Sequence, residues 1–419
     1  MASKKKTPRS LGKIKRGKPL IPKWKVFRAK EPVVSVFMWG VNHTVSQFMY
    51  LRIPSFFQIG ELMHVPPPGL LMPDDFKAFS KIKIDYHAFN KDNMPSHFKV
   101  KDYCPNVFRN IREQFGVDQS EYLISLTSYE PEVDPHESSG ASRLFVSFDR
   151  KFVIKVIDSE AVAELHAILR QYHEYVVERH GKTLLPQFLG LYRITVDNSE
   201  TYLLVMRNIF GGKYGIHKKY DLKGSTVQRQ ASEKEKSKEL PTLKDNDFLE
   251  DNYKLMLPAD AKEQLMSLLK SDTDFLTRLR LMDYSLLVGI HDVEQGKKEE
   301  ADALAAQTHS SDPDSGEDIQ TPPESPIASV GAFISLTSDL NLDDEFFGIP
   351  SSSESPKKLI YFIGLVDILT YYGVKKRTAS AAKSVKYGSE AENISTVKPD
   401  QYARRLLEFI NRNVSSPQN

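Results

Sequence analysis

The chain of 419 residues has one cysteine, Cys104, so no disulfide can form within it. That suits a reducing compartment, where stability comes from packing rather than from covalent links. Long hydrophobic runs are missing too. The longest, Leu359–Val366, stops at Asp367, far short of the roughly 18–20 apolar residues that a bilayer-spanning helix needs. No apolar signal segment is visible near the basic N-terminus, so any membrane contact is expected to be peripheral. Acids are absent from residues 1–30, which carry twelve Lys/Arg, and bases are absent from 311–356, which carry ten Asp/Glu. The net charge of +2 hides this segregation. A cationic region set apart from an acidic spacer points to a polyanionic partner, a membrane surface or a nucleic acid.

What is present centres on Arg280–Asp292. A helix leads in, with Leu265, Leu268, Leu269, Phe275, Leu276 and Leu279 at three- and four-residue spacings, and the buried strand Leu286–Ile290 leads out. Asp283 stands at the junction, where a rigid scaffold can fix a reacting group and where a turn cap is equally at home.

Upstream, residues 1–24 read as a disordered cationic tail, which suits docking on an anionic leaflet and equally a solubilising or nuclear-targeting role. Val33–Trp39 reads as a strand, Phe76–His87 alternates, and Asn106–Phe115 reads as a helix. The strand Leu144–Phe148 precedes Phe152–Ile157, which sets Lys155 among five apolar residues. Such a lysine pairs its charge, with a phosphate for example, or snorkels at a sheet edge. A helix over 159–180 and the strands Gln187–Val196 and Thr201–Arg207 follow, turning through Asp197–Glu200. This order resembles the small lobe of a kinase-type fold, with Met206–Phe210 as the connector to a larger lobe. Residues 213–245 read as a lysine-rich loop suited to phosphates or to plain solvent exposure. Residues 292–356 read as a disordered acidic insert with Ser/Thr-Pro pairs at Thr321, Ser325 and Ser355. Asp367, at the end of its strand, suits a divalent cation or a turn cap.

A lysine on a small-lobe strand, a connector and two carboxylates at element ends, in that order, are the parts of phosphoryl transfer. The segment Tyr220–Lys223 mimics a protein-kinase catalytic loop. Only thirteen residues separate Arg207 from Asp221, however, too few for the intervening helix. No His-Arg-Asp, Asp-Phe-Gly or Ala-Pro-Glu triplet occurs, which argues against an ordinary protein kinase.

The segments Val36–Gly40, Leu71–Phe76, Pro95–Val100, Leu184–Gly190, Tyr220–Ser225, Leu240–Phe248, Met282–Asp292 and Ile394–Val397, in this order, resemble the phosphatidylinositol phosphate kinases, and among them the type II, 5-phosphate 4-kinase, group. The resemblance implies an α+β, two-lobed lipid-kinase fold, distantly similar to protein kinases, with antiparallel sheets and an N-terminal dimerisation sheet. It divides the chain into a tail (1–24), a dimerisation and membrane-facing region (25–130), a nucleotide-binding small lobe (131–210), a catalytic large lobe (211–291 and 357–412) and the insert 292–356.

By the same resemblance, ATP and Mg²⁺ are the cofactors. Lys155 meets the ATP phosphates, and Leu144, Arg207, Asn208 and Ile209 line the nucleotide site. Asp283 is the catalytic aspartate and, with Asp367, faces the metal. Lys223, Arg229 and Lys244 neighbour the substrate phosphates. Lys375–Lys386, with Ala379 and Lys383, matches the activation loop that enters the lipid surface. Type I members carry an acid where this chain has Ala379, which favours the 5-phosphate lipid as substrate. The implied partners are a phosphoinositide in an anionic membrane and a second subunit, of the same or a related isoform. Nucleic acid is not expected. Localisation is expected to be cytoplasmic and peripheral at membranes, with a nuclear pool.

Departures from the family pattern lie at Ala141, which replaces a glycine of the nucleotide-covering turn, and at Leu144, which replaces an aromatic on the purine. Met206 matches weakly active members, Ser380 replaces a histidine, and Gln47–Gly60 reads as an apolar insertion. They motivate the alternative reading, a weakly active or inactive phosphoinositide-binding scaffold.

Overall fold

In the computed structural model, which describes residues 27–50, 70–85, 94–134, 143–252, 254–309, 346–373 and 397–416, the first element is a helix, α1 (Pro32–Tyr50). The strand expected over Val33–Trp39 is thus corrected. Seen alone, those residues are a short apolar run. Over a longer window Val34, Phe37, Met38, Val41 and Val45 recur at three- and four-residue spacing, and all five are buried. Pro32 opens the helix, where its missing N–H costs nothing. The rest of the Gln47–Gly60 segment lies outside the described residues, as does the tail 1–24.

Strands β1 (Phe79–Ile84) and β2 (Phe98–Tyr103), helices α2 (Pro105–Gln114) and α3 (Gln119–Thr127), and strands β3 (Glu132–Val133), β4 (Leu144–Val146) and β5 (Phe152–Ile157) follow. Helix α4 (Ser159–Glu178) then leads to β6 (Phe188–Val196) and β7 (Ser199–Arg207). The seven strands form one antiparallel sheet in the order β1-β2-β6-β7-β5-β4-β3. The expected boundary near residue 130 therefore falls inside a continuous sheet, because β2 pairs with β6 along five register positions. The β6–β7 hairpin turns on Asp197 and Asn198, both at positive φ (49° and 61°). Two such residues match the right-handed strand twist, and Asp and Asn tolerate that conformation.

This sheet buries a titratable group. Asp102 on β2 is 4% exposed, and burial, opposed by the charge of Arg112, pushes its carboxyl up to about 7. Between about pH 4 and 7 the folded chain holds a proton there that an unfolded aspartate has released. Stability is therefore expected to fall as pH rises through that window, by up to about 1.4 kcal/mol per unit, and to level off above it. Denaturant unfolding at pH 5 and 8 checks this. Asp102→Asn should remove the Asp102 share of the slope, and an unchanged slope would contradict it.

The second sheet is built from β8 (Lys218–Leu222), β9 (Thr242–Leu243), β11 (Ser285–Asp292), β12 (Gly348–Pro350) and β13 (Leu359–Val366), in the order β12-β13-β11-β8-β9. Strand β8 lies in what reads as a basic loop. Its Tyr220 and Leu222 are fully buried, so the alternation sits beneath the lysines. Short helices α5 (Glu233–Lys236) and α6 (Asp245–Glu250) follow it. Strand β10 (Leu255–Met256) precedes α7 (Ala259–Arg278), which packs on α9 (Pro399–Asn413); β14 (Val414–Ser415) then pairs with β10. The insert is corrected at both ends: α8 (Val293–His309) continues from β11, and Phe346–Pro350 rejoin the sheet through β12. Asp272 on α7 ties the two halves of the protein together. Its carboxylate accepts from the hydroxyls of Tyr175 and Thr183, each at 2.7 Å, and from the Leu184 N–H at 2.6 Å.

Candidate active site

Strands β11 and β13 pair in register from Asp292↔Leu359 to Ser285↔Val366, and the chain beyond both ends stays together, with Leu281 bridging Tyr371. Asp283 and Asp367 therefore leave the same end of the same strand pair. Both sit at positive φ (63° and 58°), a conformation Asp tolerates better than branched residues do. The Met282 N–H donates to Thr370 O at 2.9 Å, Lys223 Nζ donates to Asp283 O at 2.7 Å, and the Tyr402 hydroxyl donates to Tyr284 O. Burial raises the Tyr402 phenol well above its usual range, so it stays a donor.

Lys155 projects from β5 of the other sheet, opposite Leu144 on β4 and Leu204 on β7. Its Nζ donates to Asp367 Oδ1 at 2.7 Å, across 212 residues of sequence. The lysine, set among apolar neighbours on its strand, finds its counter-charge on the facing sheet, with the two side chains 30% and 58% exposed. Of the three groups singled out in the sequence, Lys155 reaches Asp367, and Asp283 lies at the same end of that strand pair.

The connector follows β7. Arg207 donates through Nε to Gln187 Oε1 at 2.7 Å and through a terminal nitrogen to Phe115 O at 2.9 Å. Asn208 donates to Arg150 O at 2.7 Å and Gly211 O at 3.1 Å, and accepts from Phe210 N–H. Ile209 is buried with Phe347, Ile360 and Phe362. Gly364 on β13 lets this side chain sit close, since a Cβ would come 2.9 Å from Ile209 Cδ1 and make it shift.

Of the basic residues expected near substrate phosphates, Lys223 holds the Asp283 loop through the bond already described. Arg229 is committed internally. It pairs with Asp221 and, through Nε at 2.8 Å, with Asp245 Oδ2. Asp245, raised in pKa by burial, also accepts from the N–H groups of Lys223, Gly224 and Ser225 at 3.0, 2.8 and 3.3 Å. Gly224, at φ +67°, is needed for this turn, since a Cβ would strike the backbone of Leu406 at 2.8 Å. Lys244 precedes α6, its N–H donating to Asp247 at 3.0 Å. Ala379 and Lys383 lie outside the described residues. The sequence reading missed the positioning roles of Asp221 and Asp245. Asp221 was set aside with its protein-kinase-like segment, although the alternation Tyr220-Asp221-Leu222 marks it as the outward residue of a strand.

Among the described residues no cluster of three His, Cys, Asp or Glu side chains forms a protein-only metal cage. Magnesium does not need one: it binds through one or two carboxylates together with substrate phosphates. Asp367, largely exposed at the mouth, and Asp283 fit that donor set. No helix among the described residues is long and apolar enough to cross a membrane.

Comparison with known proteins agrees with this geometry. The family model described as Phosphatidylinositol-4-phosphate 5-Kinase matches residues 129–413. The chain is 48% identical to phosphatidylinositol 5-phosphate 4-kinase type-2 alpha of Gallus gallus over 412 residues, covering 98% of this chain and 96% of the relative. It is 48% identical to the Homo sapiens type-2 alpha protein over 416 residues, with 96% and 98% covered. The Homo sapiens type-2 beta protein is also 48% identical, over 399 residues, with 93% and 91% covered. With two thirds of its length under that model and relatives of this kind along nearly all of it, the chain belongs to the phosphatidylinositol phosphate kinase family.

Proposed function

We propose that the protein transfers the terminal phosphoryl group of ATP to the 4-hydroxyl of phosphatidylinositol 5-phosphate, making phosphatidylinositol 4,5-bisphosphate. The observation that carries this is the meeting of Lys155 with Asp367 at the sheet end that also presents Asp283. The choice of lipid rests on the relatives, whose names specify a 5-phosphate substrate and a 4-kinase activity.

In this reading Lys155 exchanges Asp367 for the nucleotide phosphates and steadies their charge. Arg207, Asn208 and Ile209 shape the connector, Leu144 covers the nucleotide from β4, and Asp283 orients the inositol hydroxyl and accepts its proton. Lys223 fixes the Asp283 loop and, with Lys244, faces the lipid phosphates, while Arg229 clasps the turn that carries Lys223. Asp367, aided by Asp283, would hold Mg²⁺, which when bound supplies charge neutralisation on the phosphates. Ala379 and Lys383 are assigned to substrate selection at the membrane.

The register of β1, β2 and β6 supports a peripheral mode of action. Lys81 lies opposite Lys101, which lies opposite Arg193, and Lys83 lies opposite Lys99, so one face gathers five cations. Burial, with repulsion from Arg193 and Lys81, lowers the Lys101 pKa, and an anionic surface would relieve the repulsive part. Among the described residues strand β1 ends the sheet order, and its outer edge is the one a second subunit would pair with in this reading.

The test is phosphoryl transfer from labelled ATP to vesicles bearing each phosphatidylinositol monophosphate. Label should enter the 5-phosphate lipid preferentially. Equal use of the 4-phosphate lipid would remove the substrate assignment, and transfer at background under conditions where vesicles bind would leave the scaffold reading instead.

A further inference from the structure

The acidic insert is tied to the fold at both ends, and its far end meets the connector. At the start, Asp292 N–H donates to His217 Nδ1 at 2.8 Å, and His217 Nε2 lies 3.2 Å from Glu299 on α8. At the far end, two consecutive aromatics engage opposite sides of the cleft. The Phe346 ring lies under the Arg207 guanidinium, 5.3 Å from ring centre to Cζ, and meets Phe115 edge-on at 6.3 Å. Phe347 is buried with Ile209, Ile360 and Phe362, and its carbonyl accepts from Ile363 N–H on β13 at 3.2 Å. One ring thus touches the last residue of β7, whose backbone pairs with Phe152 on the lysine-bearing strand β5. The other touches β13, the strand that leads into Asp367.

We propose that Phe346 and Phe347 are a strap across the back of the cleft, through which the C-terminal end of the acidic insert sets affinity for the nucleoside triphosphate. This rests on the phosphotransferase reading above and names a control on the same site. The strap residues are positioning residues. They hold the spacing between Arg207 at the end of one sheet and β13 of the other, with Ile209 of the connector packed between, and that spacing fixes how Lys155 and Asp367 face a triphosphate. An arginine over an aromatic face gains a modest, distance-dependent attraction, which is lost with the ring.

Calorimetric titration of the full-length protein with a non-hydrolysable ATP analogue and magnesium tests this. Phe346 is 43% exposed, so Phe346→Ala should leave the thermal midpoint close to wild type. Affinity for the analogue should fall about two- to fivefold, with KM for ATP rising in step and kcat at saturating ATP held. Phe346→Trp, which restores a ring for the guanidinium, should recover the affinity. If Phe346→Ala binds as wild type does, or if Phe346→Trp is as weak as Phe346→Ala, the strap is overturned and the kinase reading stands. Failure of the wild-type protein to bind the analogue would overturn both.

Discussion

Asp283→Asn is expected to lower phosphoryl transfer by roughly 10²–10⁴-fold, the range a positioned general base supplies. Vesicle binding and the thermal midpoint should stay near wild type. The separation follows from how the position is held. Three hydrogen bonds anchor residues 282–284 through main-chain atoms: Met282 N–H to Thr370, Lys223 to the Asp283 carbonyl, and Tyr402 to the Tyr284 carbonyl. Asparagine keeps the carbonyl, matches the side-chain shape and accepts positive φ as readily as aspartate does. What it loses is the anionic oxygen that would take the inositol proton. Turnover with the 5-phosphate lipid, measured beside vesicle sedimentation, decides the matter. Activity within tenfold of wild type would assign the proton to another group.

Much of the fold is legible wherever a local pattern and the final packing agree. Strand β13 coincides with the apolar run Leu359–Val366, because a strand buried on both faces needs no alternation and ends where a charge appears. Helices α4 and α7 follow their apolar spacings for the same reason. Legibility fails where a window is too short or a partner is remote. Residues 33–39 cannot reveal the helical period that Val41 and Val45 complete. The helix α8 has no apolar stripe, and its register rests on Asp292 accepting from Glu294 and Gln295 and on His217 reaching Glu299, neither of which is a periodicity. The chemistry divides in the same way. Lys155, Asp283 and Asp367 could be named as residue types at element ends. That the lysine lands on Asp367 follows only from the facing of two sheets. Arg229 shows the converse: its charge suggested a phosphate ligand, while burial against Asp221 and Asp245 gives that charge its partners inside the fold.

Lys155→Met is expected to cost roughly 10²–10³-fold in turnover, the effect of removing one preorganised donor from a developing charge. Stability should hardly change. The pair that Lys155 makes in the free protein is part-exposed on both sides, and such pairs contribute only about 0–1 kcal/mol. Methionine keeps an unbranched stem against the same neighbours on β4 and β7. The ammonium would therefore do little for the resting fold and, in the proposed reaction, much for transfer, leaving Asp367 for the phosphates. A double variant sharpens the test. If Lys155 and Asp367 act on one triphosphate as proposed, combining Lys155→Met with Asp367→Asn should depress turnover far less than the product of the single losses. Strict additivity would mean that the two side chains serve separate steps, and their contact at 2.7 Å would then be incidental to catalysis.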